Sequence, residues 1–197
     1  MTEIAQQHLD CDGCPVHYLE AGDPAGPVVV LLHGMKFNAA TWQELGTIEF
    51  LAGLGYRVIA ADMPGFGNSP AAERPPVEVL ERFLAALSLS QLTLVGPSMG
   101  GRTTLEYALA DQSRLQGLVL VGAVGVAENK ERLSEIAVPL LAIWGGEDAV
   151  SPVVLSELLV EQVVAARRVI FPGAPHPCYL EQTDQFHETL KEFLSSL

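Results

Sequence analysis

From residue 28 onward, short and continuously apolar runs alternate with longer segments in which apolar residues recur at three- and four-residue spacing. The runs are 28–32, 56–61, 91–95, 115–121, 138–144 and 168–171. Each is strand-sized and rich in Val, Ile and Leu, which is the composition of a strand covered on both faces. Between them, 41–54, 77–87, 99–109 and 152–164 read as helices, through their apolar stripe or their small helix-favouring residues. Parallel neighbours in a sheet need right-handed crossovers, so the alternation predicts an α/β fold: an open, mostly parallel sheet with helices on both faces. An antiparallel hairpin over 4–20 precedes it. Cys11-Asp12-Gly13-Cys14 sits at its tip, where Asp-Gly is a turn dipeptide. The CxxC has no second pair to complete a zinc site, and no metal is expected.

With 197 residues, 49% of them apolar and 18% charged, the chain is expected to form one domain spanning 1–197. Eleven Lys and Arg against 24 Asp and Glu leave a formal charge of −13, which repels a phosphate backbone. Nucleic acid is therefore excluded as an expected partner. The longest strongly apolar stretches, 27–32 and 115–126, fall short of the roughly 20 residues that span a bilayer. Three cysteines cannot pair fully, and the N-terminal residues show no basic region followed by an apolar signal core. The expectation is a cytoplasmic protein with no membrane association.

In open parallel sheets ligands bind outside the carboxyl ends of the strands. There the run 91–95 is followed by Gly96-Pro97-Ser98-Met99-Gly100-Gly101 and a helix, which is G-x-S-x-G in its strand-turn-helix setting. Such a turn strains the serine backbone and leaves no room for Cβ atoms two residues on either side. A serine hydroxyl needs a general base, and in this architecture the base follows the serine and an acid in chain order. His8 and His17 lie too early, and His33 ends a strand. His187 falls on the last helix beside the buried stripe of Phe186, Leu190, Phe193 and Leu194, where a partly exposed position is expected. His176, in the loop after the last strand, is the candidate base. Two adjacent carboxylates, Glu147 and Asp148, follow the penultimate strand and compete for the third position. Negative charge on a carbonyl oxygen would be met by backbone amides, Met99 after the serine and Met35 in the loop after His33-Gly34.

Together, His33-Gly34, Asp62-Met63-Pro64-Gly65-Phe66-Gly67-Asn68-Ser69, Gly96 to Gly101, Gly145 to Pro152 and His176 resemble the α/β-hydrolase superfamily from end to end. Leu31 to Phe37, Thr41 to Thr47 and His176-Pro177-Cys178-Tyr179-Leu180 are similar to its abhydrolase-domain-14, or CIB-type, branch. The resemblance implies a catalytic triad of Ser98, Asp148 and His176, with Asp148 preferred over Glu147, and makes Asp62 a loop former. Only 127–137 is available where relatives insert a helical lid, so a lidless, shallow site is expected. Pro175 stands where the family's Gly-x-Gly-His has its second glycine, which restricts the histidine loop. The implied activity is a serine esterase acting on small acyl esters through an acyl-enzyme, with no cofactor. Its alternatives are transfer of a short acyl group to a thiol such as coenzyme A, and a non-catalytic interaction protein on the same fold.

Overall fold

A computed structural model describes residues 2–197. Among the described residues, eight strands form one sheet. They are β1 (Ala5–Asp10), β2 (Pro15–Ala21), β3 (Val28–Leu31), β4 (Arg57–Ala61), β5 (Leu92–Pro97), β6 (Leu115–Val121), β7 (Leu140–Gly145) and β8 (Ala166–Phe171), in the order β1-β2-β4-β3-β5-β6-β7-β8. The pairs β1/β2 and β2/β4 are antiparallel and every other pair is parallel. The helices are α1 (Ala39–Glu44), α2 (Thr47–Gly53), α3 (Pro76–Ala86), α4 (Met99–Ala110), α5 (Val154–Gln162), α6 (Cys178–Glu181) and α7 (Thr183–Leu194).

Successive strand residues serve opposite faces. Val30, Ile59, Leu94 and Leu118 pack with Leu80 and Phe83 of α3 and Leu105 of α4. Their neighbours Val29, Val58, Val95 and Val119 pack with Trp42 of α1, Leu51 of α2 and Phe186 of α7. Both faces are covered, which is why the runs are unbroken rather than alternating. The edges are different: β1 exposes Gln6, Gln7 and His8, and β8 exposes Arg167 and Arg168, polar groups that discourage pairing with another sheet.

Three expectations are corrected. Residues 41–54 are not one helix. Gly46, at φ +71°, ends α1 and opens α2, a left-handed conformation that suits glycine. The helix expected over 152–164 is shorter, Val154–Gln162, because its first residues form the turn that leads in. His187 is buried rather than partly exposed. Its Nε2 lies 2.9 Å from Thr47 Oγ1, and its ring stacks on Phe50 at 4.7 Å between centroids. The segment between β6 and β7 holds only a 3-10 turn, Lys130–Glu135, anchored by Leu133, so no lid covers the sheet. No helix among the described residues is long and apolar enough to cross a membrane.

From β3 the chain crosses to β4 on one side and then returns to β5 on the other. The strand order therefore reverses beside β3, opening a crevice at the carboxyl ends of β3 and β5. His33 and Ser98 follow those two ends.

Candidate active site

Ser98 joins β5 to α4 at φ +51° and ψ −113°, outside the regions an L-residue normally occupies. The surroundings hold it there. Its amide donates to Val121 O at 2.9 Å, and its carbonyl accepts from the amides of Arg102 at 3.1 Å and Val124 at 3.2 Å. A Cβ on Gly96 would stand 2.4 Å from Gly100 O, and one on Gly100 would stand 2.7 Å from His33 O. Both glycines are required because backbone passes where a side chain would be.

The loops after β7 and β8 meet over this turn. Glu147 N donates to Ala174 O at 3.0 Å, and a Cβ on Gly145 would collide with the carbonyls of Ala174 and Pro175. Their contact brings His176 and Asp148 together. Ser98 Oγ lies 2.9 Å from His176 Nε2, and His176 Nδ1 lies 2.8 Å from Asp148 Oδ2. The Asp148 side chain is fully covered, while 18% of the His176 side chain remains exposed. Asp148 Oδ1 accepts from the amides of Val150 at 2.9 Å and Ser151 at 2.7 Å. Asp148 Oδ2 is left to accept a hydrogen bond from His176 Nδ1–H, and with the ring proton held there the Nε2 lone pair faces the serine hydroxyl. Glu147 is exposed on the same loop and outside this chain of bonds.

The second loop is fixed by His33. Its Nε2 accepts the Met63 amide at 3.0 Å while Nδ1 donates to Gly34 O at 2.8 Å, so the ring is neutral with its proton on Nδ1. Burial pushes its pKa below the usual histidine value, in keeping with that arrangement. Gly34 stands against Ser98: a Cβ there would be 3.6 Å from Ser98 Cβ. From Gly34 the chain makes a tight turn closed by Phe37 N to Gly34 O at 3.0 Å, with Met35 and Lys36 at its corner. The Met35 amide meets no acceptor among the described residues, and the residue is 66% exposed. Met99 opens α4, where a helix leaves its amides without an internal partner.

The other candidates are placed away from the serine. Asp62 is buried under its own loop, accepting from Ala39 N at 2.7 Å and Asn68 N at 2.8 Å and pairing with the His17 ring at 2.7 Å. His8 lies on edge strand β1, its ring tilted at 57° to that of His17 with 4.9 Å between centroids. Cys178, two residues beyond His176, is fully buried, and burial first and nearby Asp148 second push its pKa up to about 12, so it stays a thiol.

One residue escapes motif reading. Gly122 ends β6 at φ +50°, and a Cβ there would lie 2.9 Å from Asp148 Oδ2 and 3.2 Å from His176 Nδ1. The Asp148–His176 pair leans directly on this glycine. Its only sequence signal is a glycine immediately after a strand.

The family model for the alpha/beta hydrolase fold matches residues 27–134. Rat "Putative protein-lysine deacylase ABHD14B" is 32% identical over 208 residues, covering 100% of this chain and 98% of that protein. A predicted CIB-like hydrolase of Thermoplasma acidophilum superposes with a TM-score of 0.95 at 25% identity, covering both chains fully. The 2-hydroxy-6-oxo-6-phenylhexa-2,4-dienoate hydrolase of a Rhodococcus strain shares the fold, with a TM-score of 0.87 at 22% identity over 99% of this chain and 100% of that one. The chain belongs to the α/β-hydrolase family, and within it to the lidless branch of the ABHD14 proteins.

Proposed function

We propose that the protein is a serine hydrolase that cleaves small acyl esters through an acyl-enzyme on Ser98. The observation that carries this reading is the unbroken relay from Ser98 Oγ through the His176 ring to the covered carboxylate of Asp148, at 2.9 and 2.8 Å. In the proposed mechanism Ser98 Oγ attacks the acyl carbonyl as His176 Nε2 takes its proton. Asp148 keeps the ring in the tautomer that can do so and stabilises the imidazolium that forms. The amides of Met35 and Met99 would hold the oxyanion, each contributing roughly 3 kcal/mol. His176 then protonates the leaving group, and water, deprotonated by the same ring, releases the acid. Without a lid, binding rests on strand-end loops, which favours short acyl groups.

A second reading is favoured by the rat relative, whose name gives it protein-lysine deacylation and which aligns along essentially its whole length. The same relay would serve an N-acyl amine, with a thiol or water as acceptor. The test is a panel of p-nitrophenyl esters from two to twelve carbons with wild type and Ser98→Ala, beside labelling by a fluorophosphonate. Wild type should turn over the shortest esters fastest and be labelled, and Ser98→Ala should do neither. Equal labelling of both proteins would refute the assignment of Ser98. Product analysis on an acetylated lysine peptide, with and without coenzyme A, separates hydrolysis from transfer.

A further inference from the structure

Lys36 is isolated in an unusual way for this surface. The chain has 24 carboxylate side chains and 11 Lys and Arg. Eight of those cations face a carboxylate. Arg114 donates to the Leu89 carbonyl, and Arg167 bonds Ser196 Oγ and covers the Phe193 ring. Lys36 has no such partner among the described residues. Lys36 is exposed at the corner of the 34–37 turn, whereas Arg102, the other cation close to Ser98 in sequence, is paired with Glu106 and Glu128. That turn begins at Gly34, which stands against Ser98, and closes by the Phe37 amide bond to Gly34 O at 3.0 Å. Two Cα steps of about 3.8 Å separate Lys36 from Gly34, well within the sweep of a four-carbon stem carrying a point charge. The residue between them supplies the amide assigned above to the oxyanion. An ammonium without a carboxylate partner therefore stands one residue from the amide at which a substrate carbonyl would be held.

We infer that Lys36 is a specificity-determining residue that binds an anionic group, carboxylate or phosphate, carried by the substrate. The inference rests on the proposed acyl chemistry at Ser98 for its meaning. In a chain with a formal charge of −13 an anionic ligand is disfavoured at long range, so one free cation at the site decides whether such a ligand is held. A neutral substrate gains nothing from it.

The test compares neutral and anionic esters of matched size. p-Nitrophenyl butyrate is set against mono-p-nitrophenyl succinate for a charge on the acyl side. Phenyl acetate is set against 4-acetoxybenzoate and 4-acetoxyphenyl phosphate for a carboxylate or phosphate on the leaving group. Lys36→Met should raise KM at least fivefold for one or more anionic esters, with kcat within twofold and the neutral esters unmoved, and Lys36→Arg should restore it. Equal effects on neutral and anionic esters, or none, would overturn the inference. A second readout does not depend on turnover. Reductive 13C-methylation labels the three lysines, and the Lys36 signal, identified by its loss in Lys36→Met, is followed during titration with benzoate and with phenyl phosphate, in wild type and in Ser98→Ala. A saturable shift confined to Lys36 supports anion binding even if no ester is cleaved, in which case the acyl-hydrolase reading alone fails. Shifts no larger than those of Lys130 and Lys191 overturn it.

Discussion

Replacing Asp148 by Asn tests the relay without disturbing the fold, because the surroundings dictate how the amide must sit. Oδ1 of Asp148 accepts two backbone amides, Val150 N and Ser151 N. Asn can satisfy both only by placing its own oxygen there. Its NH2 then faces His176 Nδ1, the atom that now lies 2.8 Å from Oδ2. A donor in that position forces the proton of the neutral ring onto Nε2, which then faces Ser98 Oγ with a hydrogen instead of a lone pair. The base is present and misprotonated. In a serine protease triad the equivalent change lowers kcat by about 10,000-fold, which corresponds to about 5 kcal/mol of transition-state stabilisation. The same magnitude is expected here, measured as kcat/KM on p-nitrophenyl acetate at pH 7.5, with fluorophosphonate labelling slowed in parallel. Because the two backbone bonds are kept, the urea unfolding free energy should move by no more than about 1 kcal/mol. Asp148→Asn activity above one tenth of wild type, with the fold intact, would mean that another group orients His176.

Three further outcomes are expected. Gly122→Ala places a methyl group 2.9 Å from Asp148 Oδ2 at a positive φ, and the resulting displacement of the acid–base pair should lower kcat about 100-fold; unchanged kcat would remove Gly122 from the site's architecture. Met35→Ala should leave kcat/KM within about threefold, because the residue is exposed and its side chain is not the group assigned to the oxyanion; a loss beyond tenfold would show that the side chain binds substrate. Burial lowers the pKa of both His33 and His187 below the ordinary 6.5, so the unfolded chain binds protons more readily. Their contribution to stability is complete above pH 6.5 and is lost as pH falls towards the folded values, at up to about 1.4 kcal/mol per pH unit for each ring. Urea midpoints should therefore drop between pH 7.5 and 5.5, and His187→Gln should flatten that drop; an identical pH dependence would exclude His187 as a contributor.

What could be read in advance from this chain divides by how local its cause is. The unbroken runs announced a sheet covered on both faces because each strand residue must choose a face, and Val29 and Val30 chose opposite ones. The turn around Ser98 was legible because backbone contact at Gly96 and Gly100 leaves its trace in the same six residues that form the turn. Gly46 was equally visible, and a glycine inside a supposed 14-residue helix was reason enough to expect the break that occurs. Gly122 and His187 are different. One of 18 glycines is required at position 122 only because Asp148 and His176, far along the chain, converge on it. His187 lies beside the apolar stripe of α7, and what draws it inward is a hydroxyl on α2, 140 residues away, together with the Phe50 ring. Periodicity reports which side of an element is apolar, but it carries no record of which distant group will meet the residue at the edge. The same reasoning locates the information about substrate in this molecule. The turn at Ser98 is set by local backbone constraint, whereas the selectivity inferred above rests on the side chain of Lys36, whose significance appears only when the partners of every other cation are known.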